Sequence, residues 1–248
     1  METYKIIIEY DGTRYGGFKK TKRGGTVSIQ EKIETVLSRM EHGENFIMTA
    51  AVNTEPGVHS LGQTISYGTH QRFDAGTIKQ YMNQYLPMDI VVREVKLARE
   101  GFHAEVAKSF KRYQYRMQTG NYKNVMEQAY MDYEPEGPDL SAIRNGMKLL
   151  SGTNDFIVFN NNPRLKKSTI RTIDKLQMKV DRQEINIYCQ IDQVWPGLIP
   201  SIFGTLLQVG QHKLDLEELK RKLKEKQMGS LSIWAPTKAI LLQKVLYE

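Results

Sequence analysis

Cations cluster at three places in this chain, one of them interleaved with aromatic side chains, and that pairing suits one kind of chemistry above others. Lys19-Lys20-Thr21-Lys22-Arg23 lies between two glycine pairs, Gly16-Gly17 and Gly24-Gly25. Lys108-Ser109-Phe110-Lys111-Arg112-Tyr113 and Pro163-Arg164-Leu165-Lys166-Lys167 form the other two clusters. Lys and Arg neutralise phosphates while aromatic rings stack on unpaired bases, so the interleaving fits structured RNA with accessible bases. A solvated surface loop explains any one cluster equally well. Three of them, in a chain of 248 residues with a formal net charge of +7, favour a polyanionic partner.

Other chemistries lack their residues. The chain has no GxxxxGK[ST], CxxC or GxSxG pattern, which removes the sequence support for phosphate-loop, zinc and nucleophile-elbow readings. The one cysteine, Cys189, cannot form an intrachain disulfide or a multi-cysteine metal site, so no metal is expected. It falls in the alternating run Ile185-Asn186-Ile187-Tyr188-Cys189-Gln190, a strand pattern that assigns it a core position. His59 and His103 are too far apart in sequence to suggest a ligand pair, and each alone reads as a hydrogen-bonded structural histidine. Met1-Glu2-Thr3-Tyr4-Lys5 lacks a signal-peptide profile. The longest charge-free stretch, Gln193 to Gln211, is broken by prolines, glycines and glutamines, so no membrane span and a cytoplasmic location are expected.

The elements that must position these residues are readable from periodicity. Lys5 to Tyr10 is a β-branched, apolar run that stops at Asp11-Gly12. Ile29, Ile33, Val36, Leu37 and Met40 recur at helical spacing behind Ser28, an N-cap residue type. Strands over Phe46–Val52 and Gly62–Tyr67, a helix over Gly76–Leu86 and a strand over Ile90–Leu97 complete the first half. The second half gives a strand over Arg112–Met117, a helix over Leu140–Leu150 and strands over Ile170–Val180 and Glu184–Ile191. Helices over Ser201–Val209 and Leu214–Lys224 and a strand over Ala239–Tyr247 follow. Helices mixed with strand pairs predict an α+β fold of two similar halves, 1–106 and 107–248, each an antiparallel sheet backed by helices.

Ordered motifs then carry a resemblance. Tyr10-Asp11-Gly12-Thr13, Phe18 and Gln30-Glu31 open the series, and Val52-Asn53-Thr54-Glu55-Pro56-Gly57-Val58-His59-Ser60-Leu61-Gly62-Gln63 follows. Leu86-Pro87-x-Asp89-Ile90, Phe102-His103-Ala104, Tyr113-x-Tyr115, Asp155-Phe156, Arg171-Thr172-Ile173 and Gly204-Thr205-Leu206-Leu207-x-Val209-Gly210 continue it. This series resembles the tRNA pseudouridine synthase A family, whose signature is Gly-Arg-Thr-Asp-Ala-Gly-Val-His-Ala-Leu-Gly-Gln.

The resemblance implies two α/β halves with a basic, RNA-binding cleft between them, and a homodimer that holds tRNA across both subunits. It also implies conversion of uridine to pseudouridine in the anticodon stem-loop with no cofactor or metal, on a base drawn out of its stack. Tyr113 takes the place of the tyrosine that stacks on that base, and Lys111 stands where an arginine is usual. His59, Arg112 and the cations Lys19, Lys20, Lys22, Arg23, Lys166 and Lys167 are the remaining RNA-binding candidates.

The catalytic aspartate position holds Glu55, and its two supporting arginines are replaced by Asn53 and Pro200. Glutamate adds one C–C bond, about 1.5 Å of reach. Misplacement of about 1 Å can cost on the order of 10²-fold. Asparagine supplies no bidentate charge, and Pro56 is expected to restrict the catalytic turn. Two functional classes therefore stand: an RNA-binding paralogue with weak or no activity, and a working isomerase using Glu55. A scaffold without RNA binding is a third, against which the retained basic loops and Tyr113 argue.

Overall fold

The computed structural model describes residues 1–20, 25–164 and 168–248. In chain order the elements are β1 (Glu2–Tyr10), α1 (Ile29–Met40), β2 (Ile47–Ala50), β3 (His59–Thr69), α2 (Ala75–Tyr85), β4 (Ile90–Leu97), β5 (Ser109–Gln118) and β6 (Asp132–Tyr133). They continue with α3 (Leu140–Leu150), β7 (Gly152–Asp155), β8 (Ile170–Asp181), β9 (Glu184–Ile191), α4 (Leu198–Gly210), α5 (Leu216–Glu225) and β10 (Ile240–Tyr247). The chain divides into two compact units, Met1–Ser109 with Leu241–Glu248, and Phe110–Ile240. The expected division at 106/107 thus shifts by three residues, and the C-terminal strand returns to the first unit, which no local pattern signals.

In the first unit the strand order is β4-β1-β3-β10, with β2 also on β3. β1 runs antiparallel to β3 and β4, while β10 joins β3 in parallel through Leu241↔His59 and Leu242↔Ser60. Burial alternates along β1, so Tyr4, Ile6, Ile8 and Tyr10 share one covered face. α1 lays Ile29, Ile33, Val36, Leu37 and Met40 into the same core. It starts at a capping box, in which Ser28 Oγ accepts from the Glu31 amide and Glu31 accepts from the Ser28 amide.

In the second unit the order is β5-β9-β8-β7, all antiparallel, with the two-residue β6 parallel to β5. The sheets are therefore mixed rather than purely antiparallel, within the α+β class. Cys189 is fully buried in β9, and burial pushes its thiol pKa up to about 12. α4 is apolar on nearly every side and almost entirely buried. It begins three residues earlier than the sequence suggests, because Pro200 sits in its first turn, where a missing N–H costs nothing. Phe203 of α4 stacks on Tyr115 of β5, with centroids 5.4 Å apart. Among the described residues, no helix is long and apolar enough to cross a membrane.

Candidate functional site

The segment from Asn53 to His59 is a turn held from three sides within the first unit. Its entry is fixed by the Ala51 amide donating to Thr64 O and by Gln63 Nε2 donating to Val52 O, each at 2.8 Å. Thr54 is buried, its carbonyl accepts from the Phe18 amide at 3.0 Å, and its hydroxyl meets Tyr10 Oη at 2.8 Å. The Val58 amide donates back to Glu55 O at 3.1 Å, and Gly57 has φ 80°. A four-residue turn with Pro second and a positive-φ glycine third is type II, for which proline is favoured at that second position. Pro56 therefore restricts the turn to this geometry and completes it without strain.

Glu55 is half-buried on this turn. Burial raises the Tyr10 phenol pKa well above its usual range; hydrogen bonding with Thr54 and Gln63 opposes that shift, and the Glu55 charge adds to it. The loop after β1 closes the third side. A Cβ on Gly17 would lie 2.7 Å from Thr54 O, and its φ of 94° already excludes ordinary side chains. Asp89 anchors that loop, accepting from Tyr15 Oη at 2.6 Å and Arg14 Nη2 at 2.5 Å. Tyr10, Gly17 and Asp89 were not marked as site residues from sequence. The signal for Tyr10 and Asp89 was present in the Tyr-Asp-Gly-Thr and Leu-Pro-x-Asp-Ile motifs, and that for Gly17 in the Gly16-Gly17 pair, all of which name positions without saying what they support.

His59 is buried, and its Nδ1 lies 3.1 Å from both the Gly12 amide and Asp11 Oδ1. Nδ1 without a proton accepts from Gly12; with one it donates to Asp11. Either bond pins the end of β1 to the start of β3.

The second unit holds the other candidates. Lys111, Tyr113 and Tyr115 pair with Ile191, Cys189 and Ile187, and so share the covered face of the sheet. Tyr113 is only 3% exposed. Lys111 is equally buried, and its Nζ donates to Asp192 O at 2.7 Å. Burial lowers its pKa to about 8, Asp192 opposes that shift and Arg171 adds to it. Arg171 is buried, with its guanidinium 4.9 Å from the Trp195 ring centre. Arg112 donates twice to Gln190 Oε1, at 3.1 and 2.7 Å. Pro200 is buried, and its carbonyl accepts from the Ala235 amide at 2.9 Å.

Lys19 and Lys20 are exposed, and Lys20 Nζ stands 3.8 Å from Glu31 Oε1. Lys22, Arg23, Lys166 and Lys167 lie outside the described residues. No group of three His, Cys, Asp or Glu side chains suited to a metal ion occurs among the described residues.

A family model described as tRNA pseudouridine synthase matches residues 147–248. "tRNA pseudouridine synthase A 1" of Clostridium tetani is 32% identical, with all of both chains covered. "tRNA pseudouridine synthase A" of Clostridium kluyveri is 30% identical over the same full span. "tRNA pseudouridine synthase A 2" of Bacillus cereus is 29% identical, with 99% of each chain covered. The chain belongs to the tRNA pseudouridine synthase A family.

Proposed function

We propose that this chain binds tRNA, or another RNA with similar structured elements, and isomerises uridine weakly or not at all. The observation that carries the reading is the set Asn53, Glu55 and Pro200, standing where the family resemblance places Arg, Asp and Arg. The family reaction breaks the N1–C1′ bond, turns the uracil, forms C5–C1′, and moves a proton from C5 while N1 gains one. It needs one carboxylate held in fixed geometry. Here the carboxylate has an extra methylene, and neither Asn53 nor Pro200 offers the planar, bidentate charge that an arginine supplies. Pro200 is an apolar residue buried in the first turn of α4, its carbonyl already engaged by Ala235. By the same resemblance, the working form is a homodimer.

The second reading, an active isomerase using Glu55, draws support from the turn itself. Its type II geometry is intact, and Glu55 is half-buried rather than turned out to water.

Tritium release from uracil C5 in labelled tRNA separates the two readings. The wild type is expected to release little, and Glu55→Asp alone to add little, because the new carboxylate still lacks its partners. Groups acting as one unit are strongly non-additive. The variant joining Glu55→Asp, Asn53→Arg and Pro200→Arg should therefore gain more than the product of the separate changes, provided far-UV dichroism shows that it folds. Fast turnover by the wild type that Glu55→Ala abolishes establishes the second reading instead.

A further inference from the structure

The outer edge of β8 is open over most of its length. β7 pairs only with Ile170–Ile173, whereas β9 follows the other side of β8 as far as Asp181. From Lys175 to Asp181, among the described residues, backbone groups on the outer edge thus have no strand beside them, a ready template for another strand. Leu176, Met178 and Val180 pair across to Cys189, Ile187 and Ile185 and so lie on the covered face of the sheet. Past the reach of β7 that face is left part-open: Val180 is 45% exposed, while Leu176 and Met178 are half-buried. A groove of about 480 Å³ runs there, between the edge and α3, lined by the apolar Met147, Leu176 and Met178 and the cationic Arg144, Lys148 and Lys179.

We propose that this edge is where a second copy of the chain docks, β8 against β8, antiparallel about a two-fold axis through Met178. The charge pattern of the strand and the length of its open edge together select that register. An antiparallel pair related by a two-fold has its axis perpendicular to the sheet, and facing residues lie on the same side. The axis therefore passes through a residue and never between two. Centred on Gln177, it sets Lys175 against the partner's Lys179, and centred on Lys179 it sets that lysine against itself. Both registers oppose like charges, which destabilises a cross-strand pair. Centred on Met178, it sets Lys175 against the partner's Asp181 twice, Leu176 against the partner's Val180 twice, and Met178 against its own copy. Centred on Val180, it sets Lys179 against the partner's Asp181 but overlaps only three residues before the strand ends, and centred on Leu176 it runs the partner into the place of β7. Edge lysines ordinarily deter pairing; here they block two registers, and Asp181 admits the one that covers the whole open edge. An acidic peptide laid on the same edge would satisfy the lysines but would meet Asp181 unpaired.

This assigns the surface for the homodimer proposed above and rests on that reading. The test is sedimentation equilibrium on the full chain, with thermal melts as the check on folding, because Lys175 and Asp181 are exposed and their replacement leaves the core untouched. Lys175→Glu and Asp181→Lys each turn two attractive pairs into two repulsive ones, and each should weaken the dimer by roughly tenfold to a hundredfold. Mixing the two variants restores both pairs in the heterodimer, so the mixture should assemble near wild-type strength while each alone stays dissociated. The double variant should likewise recover. A wild type that stays monomeric at the highest attainable concentration overturns the dimer and this interface together. A wild-type dimer indifferent to both variants, or weakened singles that mixing does not rescue, overturns this interface and leaves the dimer standing.

Discussion

Lys111 carries a charge into a place that water barely reaches, and the consequence is a pH signature. Its ordinary pKa of 10.5 falls to about 8 through burial, with Asp192 resisting and Arg171 assisting. Below pH 8 both folded and unfolded chains hold the proton, and the folded state bears the full cost of the buried ammonium. Between pH 8 and 10.5 the folded chain releases the proton while the unfolded chain keeps it. The unfolded state then binds more protons, so stability rises with pH. The shift corresponds to about 3 kcal/mol. Cys189 and the buried tyrosines act oppositely, because burial raises their folded pKa values above ordinary ones of 9.0 and 10.0. Their contribution is lost as pH climbs past those ordinary values, so the raw profile mixes both signs. The difference between wild type and Lys111→Met isolates the lysine. Urea denaturation should show the wild type gaining on the variant by up to about 3 kcal/mol from pH 8 to 10.5. A constant difference across that range would mean that Lys111 is hydrated.

Among elements, the turn bearing Glu55 is positioned by backbone contacts more than by side chains, and Gly17 is the tightest of them. Alanine there must accept a φ of 94° and a Cβ 2.7 Å from Thr54 O, with Glu55 C and Pro56 N both at 3.3 Å. Strain of this kind costs on the order of 1–3 kcal/mol, beyond the few tenths that alanine recovers from the unfolded chain. Gly17→Ala should therefore lower the unfolding free energy by about 1–3 kcal/mol in a urea titration. Ser28→Ala, which removes only the α1 cap, should cost about 1 kcal/mol and leave the turn in place. Equal losses would show that the Gly17 contact is not tight. These elements were unequally legible in the sequence. α1 declared itself through periodicity and its capping box, and β8 and β9 through alternation. β6 and β7 are two and four residues long, too short for any period to emerge. The parallel seat of β10 on β3 is a contact between segments far apart in the chain, set by tertiary packing and not by local preference. Pro200 misled for a simple reason: proline reads as a breaker, yet the first turn of a helix needs no N–H.

For the whole molecule, the net charge of +7 suggests broad attraction for RNA, but its cations are not equally available. Within Lys108–Tyr113, Lys111 is committed to Asp192 O, Arg112 to Gln190, and Lys108 Nζ lies 2.6 Å from a Glu248 carboxylate oxygen. Sequence clustering could not separate these engaged cations from open ones, because their partners lie far along the chain. Lys19 and Lys20 are exposed, and with Lys22 and Arg23 they form the densest cationic run of the first unit. On the proposed reading, binding of tRNA should weaken linearly on a log–log plot against salt, with a slope of about 0.7–0.9 per phosphate neutralised. Replacing Lys19, Lys20, Lys22 and Arg23 by alanine should flatten that slope by about 3 if all four meet phosphates. Lys111→Met should leave the slope unchanged, because a buried ammonium hydrogen-bonded to a carbonyl displaces no counterion from RNA. Titrations of labelled tRNA at several salt concentrations read all three proteins directly. Equal slopes for wild type and the fourfold variant would move the electrostatic footprint off this loop. Binding that ignores salt altogether, or none at low salt, would remove the RNA reading itself.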